Sequence, residues 1–195
     1  MARTQQERRE ATVARLLDAS IATIAEIGYA RASAKTIARR AQVSDGALFR
    51  HFETMGDFMA ATAREVLSRQ LEQFGKQVAE IPSEVPALQA VLAVLRELTA
   101  NSTNAVIYEL LIAARTDDKL RDALRAVLAD YSAKICAAAR ALPGADAFAP
   151  ELFPHLVALL TNTFDGAAIV REVLPQPEIE ANRIPLLLSL LHENS

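Results

Sequence analysis

The side chains best placed to do chemistry stand together between Ala32 and Phe52, in the stretch ASAKTIARRAQVSDGALFRHF. Lys35, Arg39 and Arg40 gather three cations around the hydroxyl of Thr36. Such donors pair with phosphate oxygens, so the chemistry on offer is recognition of a polyanion rather than bond making. A plain solvated basic face has the same composition, and the elements that carry these residues decide between the two.

Ser33 suits the N-cap of a short helix in which Ile37, Ala38 and Ala41 share the inward face, leaving Lys35, Thr36, Arg39 and Arg40 outward. Gln42-Val43-Ser44 breaks the period; Val43 fills the angle, and Ser44 suits the cap of a second helix starting near Asp45. Leu48, Phe49 and Phe52 are expected to pack that helix back. The pair is a helix-turn-helix, a shape that fits the DNA major groove. Two helices this short do not hold alone. Support comes from Glu7 to Ile27, where Val13, Leu16, Leu17, Ile21, Ile24 and Ile27 recur at helical spacing before Gly28 ends the run and Tyr29 packs behind it.

Charge divides the chain in the same place. Through Phe52 there are nine Lys or Arg against five Asp or Glu, and after it twelve against nineteen. A basic end on an acidic protein is the asymmetry expected of a phosphate-binding head. The 195 residues, 51% of them apolar, suffice for such a head and a larger body with its own core. No stretch is apolar for the ~18 residues of a membrane helix, and Met1-Ala2-Arg3-Thr4 leads into charge, so a soluble cytoplasmic protein without a membrane partner is expected. The single Cys136 excludes an intrachain disulfide and offers no zinc spacing, so no metal or cofactor is expected. Cys136, His155 and Asp165 could be named as nucleophile, base and orienter, but no local spacing or Gly-rich elbow joins them, and an enzyme is not expected.

The pattern I37-A38-x-x-A41-x-V43-S44-x-G46-x-L48-F49-x-H51-F52, after a helix ending in Gly28-Tyr29, resembles the DNA-binding head of the TetR family of transcriptional regulators over residues 7 to 60. The resemblance implies an all-α fold, with a three-helix helix-turn-helix head in residues 1–53 and a larger effector-binding and dimerisation body in residues 54–195. It implies a homodimer on a double-stranded DNA operator, usually a repressor, released when a small molecule binds the body. A dimeric small-molecule-binding protein with weak or lost specific DNA binding is the alternative.

Carried over position by position, Lys35 reaches a base edge or phosphate, while Asp45, Gly46 and Ala47 open the recognition helix. There Asp45 suits a cytosine amino group and Ala47 a thymine methyl. Phe49 follows; Arg50 suits either a phosphate or a guanine, and His51 matches the family's phosphate-contacting histidine. Ser33, Thr36 and Ser44 complete the set as hydroxyl donors. Three positions depart from the pattern. Gln42 replaces a turn glycine and is expected in a left-handed conformation at a cost of about 1 kcal/mol. Phe49 replaces a tyrosine and loses its hydroxyl. Met55 and Gly56 stand where a Lys and an acidic residue often start the next helix. Weaker or more salt-sensitive operator binding is the expected result.

The body reads as helices over Asp57–Ala79, Pro86–Ala100, Ala105–Arg115, Asp117–Leu142, Pro150–Leu174 and Pro177–Glu193, with Pro185 either kinking the last or restarting it after Asn182. Polar or aromatic groups on otherwise apolar helices are the effector-site candidates: Phe74, Tyr108, Glu109, Arg115, Tyr131, Cys136, His155, Asn162 and Phe164. Their mostly apolar setting argues for a hydrophobic or aromatic effector. By resemblance the last two helices pair with their twofold mates through Leu159, Thr163, Gly166, Val170, Leu187, Leu190 and Leu191, Gly166 marking a close helix contact.

Overall fold

The computed structural model describes residues 4–44, 46–82 and 84–192. Among the described residues there are eight α-helices and no strand: α1 (Gln5–Ile27), α2 (Ala34–Arg40), α3 (Met55–Ala79), α4 (Ala87–Thr99), α5 (Ala105–Ala114), α6 (Asp118–Arg140), α7 (Phe153–Arg171) and α8 (Pro177–His192). The chain divides into two units, Met1–Ser68 with Ser102–Ala129 and Arg69–Asn101 with Asp130–Ser195, so α3 and α6 each contribute residues to both.

In the first unit, Thr4 opens α1 with a capping box: its hydroxyl accepts from the Glu7 N–H, and the Glu7 carboxylate accepts from the Thr4 N–H. Leu16, Leu17, Ile21 and Ile24 face inward, as their spacing requires. Gly28 stops the helix at φ 79°, where a side chain is strained. The next N–H, that of Tyr29, donates to Glu109 Oε2 on α5 at 3.1 Å. Ile37, Leu48, Phe58, Met59, Val106, Leu110 and Leu120 complete the core. Two buried hydroxyls, Thr62 and Ser20, meet at 3.0 Å and leave neither orphaned.

The second unit is built on two apolar clusters. Phe74, Leu98 and Ile135 are packed by Leu71, Val91, Tyr131 and Val157, while Leu92, Phe164 and Ile184 are packed by Leu88, Leu160, Leu187 and Leu188. Gly144, at φ 82°, turns the chain after α6. Helix α8 runs through Pro185 as a single span and so does not restart after Asn182. The missing Pro185 N–H leaves the Ala181 carbonyl without its helical donor, and Ala181 is exposed, where water can serve it.

Candidate nucleic-acid interface and ligand cavity

The basic stretch is held by its caps. Ser33 Oγ accepts from the Thr36 N–H at 3.1 Å and lies 2.9 Å from the Thr36 hydroxyl, which commits both hydroxyls to the start of α2. Ile37 and Ala38 are fully buried, and Lys35, Arg39 and Arg40 are exposed. Arg40 forms a fork with Glu26 of α1, its two nitrogens 2.6 and 2.5 Å from the two carboxylate oxygens. That hydrogen bond holds the Glu26 carboxyl below its ordinary range. Lys35 and Arg39 are therefore the cations of this helix left for an outside anion.

The turn forms around Gln42, at φ 55°. The Gln42 N–H donates to the Arg39 carbonyl at 3.2 Å and the Val43 N–H to the Ala38 carbonyl at 3.0 Å, the paired bonds of a Schellman cap with a non-glycine in its left-handed position. Past it, the expected seven-residue recognition helix is shorter and tighter: a 3-10 turn over Leu48–Arg50, with the Ala47 N–H donating to the Ser44 carbonyl at 2.8 Å. Asp45, expected to read a cytosine, lies outside the described residues.

Burial revises two roles. Phe49, expected to pack inward, is 54% exposed, whereas Leu48 is fully buried and Phe52 stacks on Phe58 with ring centroids 4.9 Å apart. Ala47, assigned to a thymine methyl, is only 7% exposed and packs in the core, because its Cβ shares the face of Leu48 rather than that of Phe49. Ser44, Gly46 and Arg50 are exposed. His51 is half-buried; its Nδ1 has no hydrogen-bond partner, and desolvation, then the charges of Arg9 and Arg50, push its pKa below the ordinary histidine value. After it, Thr54 and Asp57 form a second capping box that starts α3 at Met55.

In the second unit a cavity of about 720 Å³ opens between α4, α6, α7, α8 and the segment joining α6 to α7. Its wall includes Phe74, Leu88, Leu92, Leu95, Ile135, Phe148, Phe153, Val157 and Leu160. Gln89 and Thr161 are the polar side chains of that wall among the described residues. Thr161 already donates to the Val157 carbonyl at 2.9 Å, and Gln89 is exposed.

The comparisons with known proteins bear on the first unit. Residues 16–62 match the family model of bacterial regulatory proteins, tetR family. An uncharacterised HTH-type transcriptional regulator of Mycobacterium tuberculosis (strain ATCC 25618 / H37Rv) is 71% identical over 191 residues, 98% of each chain. The chain belongs to the TetR family. Solved structures agree with this placing of the regulator. Multidrug binding protein EbrR complexed with ethidium superposes at a TM-score of 0.68 with 26% identity, over 92% of this chain and 98% of that one. A transcriptional regulator from Rhodococcus sp. Rha1, 23% identical over 93% of this chain and 96% of that one, shares the fold at a TM-score of 0.67.

For this TetR-family regulator the sequence-predicted effector residues scatter. Only Phe74 stands on the cavity wall. Tyr108, Glu109 and Arg115 belong to the first unit, where Tyr108 accepts from Asn104 at 2.7 Å. His155 and Asn162 are exposed, and Cys136 is half-buried off the wall. Tyr131 donates to Gln70 at 3.0 Å inside the Phe74 cluster, its pKa raised first by burial and then by Asp165. Phe164 is core. The cavity is lined largely by apolar residues, leucines and alanines among them, that no sequence signal separates from core.

The residues assigned to pairing also divide. Leu159, Val170 and Leu190 are 61%, 50% and 50% exposed, and Gly166 meets nothing within 4 Å of an added Cβ, so any close contact at that glycine lies outside this chain. Thr163 is half-buried and donates to the Leu159 carbonyl. Leu187 packs on the Leu92 cluster and Leu191 on the cavity wall, because the face of α8 that carries them turns inward.

Proposed function

We propose that this regulator binds a double-stranded DNA operator as a homodimer and leaves it when a small, largely hydrophobic effector fills the cavity of the second unit. Residues 1–53 read DNA and residues 54–195 bind the effector and dimerise. The observation that carries the reading is the coexistence in one chain of an exposed Lys35, Arg39 and Arg50 on a helix-turn-helix and an apolar cavity of about 720 Å³. Lys35, Arg50 and His51 supply the DNA contacts, with Phe49, Gly46 and Ser44 at the surface beside them. Two copies then set their recognition segments in successive major grooves roughly 34 to 36 Å apart. Release follows if the effector binds the DNA-incompetent state better, by the same factor as it lowers operator affinity. The capture of ethidium by EbrR supports a cavity ligand of aromatic character.

The short 3-10 turn at Leu48–Arg50 and the left-handed Gln42 favour a second reading, a dimeric ligand-binding protein with weak specific DNA binding. Mobility shift on genomic fragments at low and physiological salt separates them. A specific shift that persists at physiological salt and is reversed by a cavity ligand supports repression with release; no specific shift at either salt sinks it.

A further inference from the structure

The wall of the cavity is nearly all apolar. Among the described residues no charged side chain lines it. Thr161 gives its hydroxyl hydrogen to the Val157 carbonyl, and the carbonyls of Ala145 and Phe148 are taken by Arg140 Nη1 at 2.9 and 3.4 Å. Arg140 lies off the wall, its guanidinium carbon 3.6 Å from the Phe153 ring centroid while Nη1 holds those carbonyls. Gln89, neutral and exposed, is the remaining polar side chain. An ion entering such a space gives up water and finds no counter-charge on the wall, a costly kind of burial.

Resting on the reading of this cavity as the effector site, we propose that it admits only uncharged ligands: compact, mostly hydrocarbon or aromatic molecules, with one hydrogen-bonding group at most, turned toward Gln89. Carboxylates and cations of the same shape are excluded. The charge rule sets this chain apart from EbrR, whose bound ethidium is a cation.

Two fluorescent probes share one ring frame and differ by a charge: N-phenyl-naphthylamine is neutral, and anilinonaphthalene sulfonate is an anion. Ethidium supplies the cation. Titrated into the full chain at neutral pH, the neutral probe is expected to bind at least about tenfold more tightly than either ion. Its binding is lost in Ala139→Trp and in Ala87→Trp, which fill the cavity from two different helices, each accepted as a test where circular dichroism shows the fold retained. Placing a counter-charge at the mouth should relax the rule selectively, Gln89→Lys for the sulfonate and Gln89→Glu for ethidium. If either ion binds within about threefold of the neutral probe and the filling variants abolish it, the charge rule is wrong while the cavity remains a ligand site. If no probe binds, or if the filling variants leave binding unchanged, the cavity is not a ligand site and both readings fall.

Discussion

The guanidinium carbon of Arg140 lies 3.6 Å from the centroid of the Phe153 ring, and the same group donates to the carbonyls of Ala145 and Phe148. Arg140 is the last residue of α6, and Phe153 the first of α7. The link therefore closes the connecting segment on itself, and Ala145, Ala147, Phe148 and Phe153 of that segment are cavity wall. A charge off the wall thus shapes the cavity.

Replacing Arg140 by Ala removes the ring contact and two carbonyl bonds, an expected loss of about 1–3 kcal/mol. In a chain this long that lowers the melting temperature by several degrees, roughly 2–4 °C per kcal/mol. Arg140→Lys keeps the charge but not the flat fork, so it should recover only part of the loss. Binding of a neutral fluorescent probe should weaken in the same order, wild type tightest and Ala weakest. Equal probe affinity in all three would show that the segment keeps its shape without the guanidinium.

Gln42 is the one non-glycine described at positive φ, and its side chain does nothing that explains the conformation. Gln42→Gly relieves about 1–2 kcal/mol of left-handed strain and gives back about 0.5–1 kcal/mol in chain entropy. A net gain of up to about 1 kcal/mol is expected in denaturant unfolding, with the slope unchanged. Lower stability in the glycine variant would mean the Gln42 side chain contributes to the turn after all.

His51 is held neutral by its surroundings, since burial and then Arg9 and Arg50 depress its pKa. The unfolded chain takes up the proton first as pH falls, at the ordinary histidine value near 6.5. Its contribution to stability is therefore complete above that value and is lost as pH falls below it toward the depressed folded value. Unfolding by urea at several pH values between about 8 and 5 should show this loss, and His51→Phe should flatten the curve in that window. An unchanged curve in the variant would place the loss on other groups.

Helix boundaries were legible because they rest on local chemistry. Ser33 and Gly28 each solve an end-of-helix problem that can be read from a few neighbours, whereas the Thr4–Glu7 capping box starts α1 two residues before the expected Glu7. The left-handed Gln42 was legible for the same reason, as a motif position filled by the wrong residue type. What spacing could not reveal is which apolar stripe meets a neighbour and which lines a void: Leu88, Leu92 and Leu160 line the cavity with the pattern of ordinary core. Nor does residue type report depth. Phe49 and Ala47, two residues apart, exchange the expected places, Ala47 being 7% and Phe49 54% exposed.

Lys35 and Arg50 are exposed cations on either side of the Gln42 turn, and neither touches the core. Replacing both by Ala should leave helicity and association state unchanged while weakening DNA binding at every sequence. If both contact phosphates, the slope of log affinity against log salt drops by about 2. A selective loss at one base pair would instead assign Arg50 to a guanine, and an unchanged affinity and slope would remove both from the interface.

Leu159 and Val170 of α7 and Leu186 and Leu190 of α8 are 61%, 50%, 60% and 50% exposed. Single exposed leucines need no explanation, but four large apolar side chains exposed on the last two helices carry a hydration cost in a monomer. Pairing with a second copy removes that cost, and the open space at Gly166 lets two backbones approach. Leu159→Asp sets a charge among these side chains without touching the buried clusters around Leu92 or Phe74. The expected outcome is a monomer of unchanged helicity in sedimentation, with operator affinity falling steeply because the two half-sites are no longer linked. A dimer that survives the charge would move the pairing surface elsewhere, and the exposed leucines would then need another partner.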